Sequence, residues 1–227
     1  MDIKWNPSPN FTSGRSGRKI IAIVNHITAG AFPGCLNWLC NITSSASAHY
    51  LITQTGDIYQ LVREADTAWH AGIARKPTWR LHDGSNPNRR TIGIEHECIS
   101  GGELTEDQYQ ATLRLQRELC AKYDLPIDRN HIIGHYEINP VDRPGCPGED
   151  FPWERLMHDL TRTDALEGGE DALEKRYQTI DDIPEWGKPT INKLIAKGII
   201  AGVSGGLDMS LDMLRLLVWN DRAGLYN

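Results

Sequence analysis

The sequence predicts an α/β domain with a mixed central β-sheet flanked by helices, followed by a small C-terminal helical domain. Three observations carry that expectation. β-Branched runs of strand length recur at 19–25, 91–97 and 130–134. Tyr109, Thr112, Leu113, Leu119, Cys120 and Tyr123 fall on one side at helical spacing, marking a long helix that covers the sheet. Near A-L-E-G-G-E at 165–170 the composition shifts to glycine and acid, which reads as a linker. The expected division is therefore a first domain at 1–164, a linker at 165–176 and a small unit at 177–227.

Bulk properties narrow the class. With 227 residues the chain can hold one sizeable core, or a domain of about 160 residues plus an appendage. Hydrophobic residues make up 40%, and no apolar run approaches the ~20 residues of a membrane span, so no membrane partner is expected. A formal net charge of −6 without a Lys/Arg cluster excludes the basic signature of nucleic-acid binding. The N-terminal M-D-I-K-W-N has no apolar stretch of the secretory kind, so synthesis in the cytoplasm without a signal peptide is expected. Five cysteines, an odd number, then argue against a disulfide framework; Cys35 and Cys40 are close enough in sequence to pair under oxidising conditions, and reduced core packing is the favoured reading.

In chain order, residues 1–18 are polar and Gly/Ser-rich and read as a loosely held surface arm. K-I-I-A-I-V-N at 19–25 is a central strand, with His26 at its C-terminal edge, where open α/β sheets gather ligands. A short helix is expected over 34–41, with Leu36, Leu39 and Cys40 inward. Residues 47–62 alternate around Q-T-G-D and predict a hairpin. W-H-A-G at 69–72 opens a long Pro- and Asn-rich segment to about Arg90, a loop of functional length. T-I-G-I-E-H-E at 91–97 is a strand with Ile92 and Ile94 on one face and Glu95 on the other. Thr105 to Gln108 fits a capping box for the helix running to about Tyr123. A last helix is expected over 152–162. Beyond the linker, helices are expected over 184–197, stopped at Gly198, and 211–223, capped by Ser210 and stopped at Gly224. A unit that small buries too little to stand unaided, so it should dock, dimerise or bind something.

The stretch with the most chemistry is H-I-I-G-H-Y-E-I-N-P-V-D-R-P-G-C-P-G-E-D-F-P-W at 131–153. Its strand ends at Gly134, and the prolines at 140, 144 and 147 forbid regular structure beyond it. His135 thus sits at a strand end and Cys146 on a stiff loop that can fold back. Such a pair serves as zinc ligands if a third ligand exists, as a Cys-His nucleophilic couple, or as plain packing.

N-H-I-T at 25–28, S-A-H-Y-L-I at 47–52, W-H-A-G at 69–72, T-I-G-I-E at 91–95, and G-H-Y-E-I-N-P with C-P-G at 134–148 occur in one order and over one length. Together they resemble the zinc-dependent N-acetylmuramoyl-L-alanine amidases, the family of phage endolysins and peptidoglycan recognition proteins. The resemblance spans about residues 18–160. It implies an amidase/recognition-protein-like sheet, a single zinc ion held by His26, His135 and Cys146, and Glu95 as the catalytic carboxylate. Trp69 is then expected to contact substrate, and His70 either to contact substrate or to stand behind the metal ligands, the alternative being a structural role. Two departures stand out. Ala48 replaces a tyrosine found before the hairpin histidine in some members. Pro144 replaces a lysine two positions before the third ligand, and Arg143 is the nearest cation to take over oxyanion stabilisation.

The tail, I-P-E-W-G-K-P-T-I-N-K-L-I-A-K-G-I-I-A-G, resembles S-layer-homology-like modules attached to cell-wall hydrolases. The combination implies a phage or prophage endolysin, made in the bacterial host cytoplasm and acting at the wall. Its partners would be peptidoglycan as substrate, a cell-wall polymer at the C-terminal module, and a second copy if the chain dimerises. The alternative is a non-catalytic peptidoglycan-recognition module of the same fold.

Overall fold

The computed structural model describes residues 2–162, 176–200 and 206–226. The chain divides into two compact units, Met1–Thr161 and Arg162–Asn227. In the first, a six-stranded mixed sheet is built from β1 (Ile3–Trp5), β3 (Ala22–Ile27), β4 (Tyr50–Ile52), β5 (Ile58–Gln60), β7 (Thr91–His96) and β8 (Ile132–Gly134), in the order β1-β5-β4-β7-β3-β8. Only β4 and β5, the predicted hairpin, run antiparallel; the other neighbours are parallel. A separate short pair joins β2 (Phe11–Thr12) to β6 (Thr67–Ala68). The helices are α1 (Gly34–Leu39), α2 (Glu106–Tyr123), α3 (His135–Ile138) and α4 (Trp153–Thr161).

Alternation along the strands divides the two faces. Ile23, Ile92, Ile94 and Ile132 pack with Leu115 and Leu119 of α2 and Leu156 and Leu160 of α4. Ala22, Val24 and Ile133 face the other way, against Ala71, Trp79 and Ile138. Because β3 is buried on both faces it reads as a continuous apolar run, as central parallel strands do. Helix α2 begins as expected, with Thr105 Oγ1 accepting from Gln108 N at 3.2 Å. Period two then places His26 with Val24, and Glu95 with Thr91 and Gly93, on the face away from α2.

Three expectations are corrected. The N-terminal arm is docked: β1 pairs with β5, and the fully buried Asn10 donates through Nδ2 to Asn41 O at 2.8 Å and Ala46 O at 2.9 Å. Its polar residues are buried because they satisfy loop carbonyls, which hydropathy does not register. Regular structure does continue past Gly134, as the single turn α3, where Glu137 Oε2 accepts from Gly134 N at 2.8 Å; the turn ends before Pro140. The first helix of the tail begins at 188 instead of 184, since Pro189 lacks an N–H and is tolerated only in a first turn.

The tail unit pairs β9 (Arg176–Tyr177) with β10 (Met209–Ser210) and packs α5 (Lys188–Ala196) against α6 (Leu211–Arg222). Ile191, Leu194, Leu214 and Val218 are its buried centre, and Ser210 Oγ caps α6 by accepting from Met213 N at 3.2 Å. The linker expected at 165–176 lies outside the described residues except for Arg176, in β9. No helix among the described residues is long and apolar enough to cross a membrane.

The loop carrying Cys146 is seated on a second glycine turn. Gly148 has φ +122°, and a Cβ there would lie 2.0 Å from Gly101 O, whereas one at Gly145 would meet nothing within 4 Å. Gly148→Ala should therefore cost about 1–3 kcal/mol while Gly145→Ala costs little. Denaturant titration of both variants checks this; equal stability would mean that the two turns are not packed together.

Candidate active site

Parallel pairing of β3 with β7 places His26 in register opposite Glu95, and pairing of β3 with β8 sets Asn25 opposite Gly134. His26, Glu95 and His135 thus arrive at one level, at the C-terminal ends of three adjacent strands. Cys146 joins them because its carbonyl accepts from Tyr136 N at 3.0 Å, turning the 139–146 loop back over the strand ends. His26 Nδ1 lies 3.0 Å from His135 Nδ1 and 3.9 Å from Cys146 Sγ. All three donor atoms fall within 4.8 Å of one another.

This donor set fits zinc. A tetrahedral ion with nitrogen ligands at 2.0–2.1 Å and sulfur at 2.3 Å holds its donors roughly 3.3–3.6 Å apart, and the observed 3.0 and 3.9 Å bracket that range. His135 Nε2–H donates to Ala71 O at 3.1 Å; a carbonyl can only accept, so the lone pair of His135 sits on Nδ1, facing His26. Burial, then the neighbouring His135, holds His26 well below the ordinary histidine range, and burial brings His135 down to about 4. Both rings are neutral near pH 7, as ligands must be. Burial, then the nearby Glu95, pushes the Cys146 thiol up to about 12. Three donors converge here instead of two, and the hydrogen-bond-range imidazole neighbour of Cys146 is His26 rather than His135, an arrangement that favours a metal site over a Cys-His couple.

Glu95 is partly buried beside this cluster. Burial raises its carboxyl to about 8, with Arg143 opposing the shift, and Oε2 has no hydrogen-bond partner. Arg143 Nη1 donates to Asp142 O at 3.0 Å, while the Asp142 carboxylate is engaged by Arg75 at 2.7 Å. The site opens into a cleft of about 1320 Å³ whose lining includes Trp38, Trp69, Ile73, Arg75 and Arg143.

Of the two residues expected to contact substrate, Trp69 stands at the cleft with 36% exposure, its indole fixed by Nε1–H donation to Thr12 Oγ1 at 3.0 Å. His70 is placed differently. It is 7% exposed, with Nδ1 3.0 Å from His26 Nε2 and Nε2 3.1 Å from Thr91 Oγ1. His70 lines the cleft with both ring nitrogens already engaged by protein groups, which favours the role behind a metal ligand over direct polar contact with substrate. Two contributors went unread in the sequence. Trp38, 57% exposed on α1, lines the cleft; the pattern Leu36, Leu39, Cys40 marks the inward face of that helix and so left Trp38 outward. Asn88 Oδ1 accepts from His70 N and Ala71 N and pins the W-H-A-G turn; only its place in a Pro/Asn-rich loop hinted at this.

The family model described as N-acetylmuramoyl-L-alanine amidase matches residues 16–149. N-acetylmuramoyl-L-alanine amidase A of Achromobacter lyticus is 30% identical over 173 residues, covering 68% of this chain and 90% of that protein. Among solved structures, the amidase AmiD from Escherichia coli, in complex with the substrate anhydro-N-acetylmuramic acid-L-Ala-D-γ-Glu-L-Lys, superposes with a TM-score of 0.54 at 26% identity, over 89% of this chain and 76% of that one. A mutant endolysin from Bacillus subtilis shares the fold, with a TM-score of 0.54 at 20% identity over 70% of this chain and 99% of that one.

The buried histidines make the metal-free protein acid-labile. Burial lowers His49 to about 3 and His96 and His135 to about 4, against an ordinary 6.5. Folded values below unfolded ones mean that their stabilisation is complete above pH 6.5 and lost as pH falls to about 4. Glu95, raised to about 8, acts oppositely: its contribution is present below about 4.5 and lost as pH rises through 8. Denaturant titrations in chelator should show stability dropping between pH 6.5 and 4; a flat profile there would contradict neutral buried imidazoles.

Proposed function

The chain belongs to the N-acetylmuramoyl-L-alanine amidase family, and from that premise we propose a zinc-dependent endolysin in which His26, His135 and Cys146 hold one zinc ion and Glu95 carries the proton. As an amidase it hydrolyses the amide between N-acetylmuramic acid and the L-alanine of the peptidoglycan stem peptide. The observation carrying the site assignment is the convergence of three ligand atoms within 4.8 Å beside a carboxylate oxygen that has no partner.

Bound there, zinc would polarise the scissile carbonyl and supply a water of lowered pKa. Glu95 takes the proton from the attacking water and delivers it to the departing L-alanine nitrogen. Burial raises the carboxyl in the metal-free protein, and the charge of bound zinc would bring it back down toward the operating pH, where a carboxyl can both accept and return a proton. Arg143, at the cleft, stabilises the negative charge that develops on the carbonyl oxygen, in place of the lysine whose position Pro144 occupies. Trp69 offers an indole face to the substrate. A non-catalytic recognition module has no use for a third ligand or for an unpartnered carboxylate, so the position of Cys146 and the unpartnered Oε2 of Glu95 support the hydrolytic reading.

The endolysin role adds the second unit. It exposes Trp186, Met213, Leu216 and Trp219, at 43%, 46%, 55% and 64%, apolar side chains available to a cell-wall polymer or to a second copy of the chain. The site of action is then the wall, after release from the cytoplasm.

Glu95→Gln should retain zinc and lose a hundredfold or more in turnover, since general acid-base catalysis contributes about 10²–10⁴. Cys146→Ser should lose both zinc and activity. Metal content and release of amino groups from peptidoglycan, without new reducing ends, are the readouts. Expulsion of zinc by Glu95→Gln would make Glu95 a ligand or a structural residue.

A protein ending at residue 164 should cleave soluble muropeptides at the full-length rate while binding isolated walls more weakly. Equal co-sedimentation with walls would leave self-association as the role of the tail.

A further inference from the structure

The ring of His70 is pressed against the backbone of Gly93. A Cβ at that glycine would lie 2.3 Å from His70 Cγ and 2.6 Å from Nδ1, so any other residue at 93 would displace the ring. From His70 a chain of close contacts runs in both directions. Nδ1 is 3.0 Å from His26 Nε2, Nε2 is 3.1 Å from Thr91 Oγ1, and Thr91 Oγ1 is 2.9 Å from Pro87 O. Thr91 is fully buried, so no water competes for these groups.

The far end sets the direction. Pro87 O can only accept, and a threonine hydroxyl has one hydrogen. When Thr91 donates to Pro87 O, its oxygen must accept from His70 Nε2–H. A neutral His70 then accepts at Nδ1, His26 must donate through Nε2–H, and the lone pair of His26 is left on Nδ1. That atom lies 3.0 Å from His135 Nδ1. In the reverse arrangement Thr91 donates to His70, the proton of His26 moves to Nδ1, and it blocks the place where the donors meet. The two arrangements carry the same number of protons, so one hydroxyl hydrogen selects between them.

We propose that His70 and Thr91 are positioning residues that hold His26 as its Nε2-protonated tautomer, with Gly93 making room for the relay. The W-H-A-G turn then prepares both histidines, His26 through the side chain of His70 and His135 through the carbonyl of Ala71. Outer partners of metal ligands typically govern 10–100-fold in metal affinity. This inference rests on the reading of His26 as a zinc ligand.

The test measures zinc affinity by chelator competition, together with side-chain ¹⁵N NMR of His26 in the metal-free protein. Thr91→Val, nearly isosteric in the strand, should weaken zinc binding tenfold or more and shift His26 toward mixed tautomers; Thr91→Ser should restore both. Gly93→Ala should weaken zinc comparably by displacing the His70 ring while leaving the chemical identity of every hydrogen-bonding side chain unchanged, which keeps the inference testable if Thr91→Val fails to fold. Zinc binding within twofold of wild type in both variants, with His26 unchanged, would overturn it. Zinc retained at wild-type affinity by His26→Ala would instead overturn the ligand assignment. Loss of zinc by His26→Ala alone, with Thr91→Val and Gly93→Ala unaffected, would remove only the relay.

Discussion

The parallel register of β3 with its two neighbours is the constraint on which the rest depends. With His26 opposite Glu95 and Asn25 opposite Gly134, three strands end at one level and deliver two imidazoles and a carboxylate to one side of the sheet. A slip of one residue would turn His26 toward α2 and place Asn25 at the site. The buried contact from Gln116 Nε2 of α2 to Asn25 Oδ1, at 2.7 Å, opposes that slip, because it gives Asn25 its own partner on the far face. Helix packing on one side of the sheet and chemistry on the other are thus fixed by the same register.

Placing so many polar groups at buried strand ends carries a cost, and the structure answers it with hydrogen bonds. His96, on the face opposite Glu95, donates through Nδ1 to the carbonyl of His26 at 2.8 Å, and His49 Nδ1 accepts from Gly93 N at 3.0 Å. Each interaction ties a buried ring to the backbone of a strand that carries site residues. Burial keeps these rings neutral, so the cluster avoids the large penalty of several desolvated charges. Some atoms stay unpartnered, among them His96 Nε2, Asn25 Nδ2 and Glu95 Oε2, and of these Glu95 is the group that faces the donor cluster. It is held at an elevated pKa with one oxygen unpartnered, the kind of local inconsistency expected where function overrides stability.

Much of this was legible in the sequence because it rests on short-range signals. The β-branched runs, the Thr105 cap and the alternation in T-I-G-I-E give the strands, the long helix and the face of Glu95. Motif order, through the family resemblance, singled out His26, His135 and Cys146, whose donor atoms lie within 4.8 Å of one another. What stayed hidden depends on long-range hydrogen bonding. The N-terminal segment looked loose because its anchors, Asn10 and Arg15, are polar, yet both are buried against carbonyls tens of residues away. For His70 the motif on a long loop left substrate contact and a place behind the metal ligands both open. Its real surroundings, Gly93 and Thr91, come from a strand whose side-chain alternation is visible in sequence but whose neighbour across the fold is not.

The mouth of the cleft adds an element that stability alone does not explain. Arg75 and Asp142 meet at 2.7 Å with 56% and 41% of their side chains exposed, and an exposed pair of this kind contributes about 0–1 kcal/mol. Its consequence is geometric. Asp142 Oδ2 also accepts from Asn139 Nδ2 at 3.0 Å, so each carboxylate oxygen beside Arg143 already has a partner. An adjacent unengaged carboxylate would draw the guanidinium of Arg143 away from the cleft. Because Arg75 and Asn139 occupy it, Arg143 is left contacting the carbonyl of Asp142 while its charge still acts on Glu95, His26 and Cys146. A weak surface ion pair can thereby direct a cation toward the site without adding measurably to the stability of the fold.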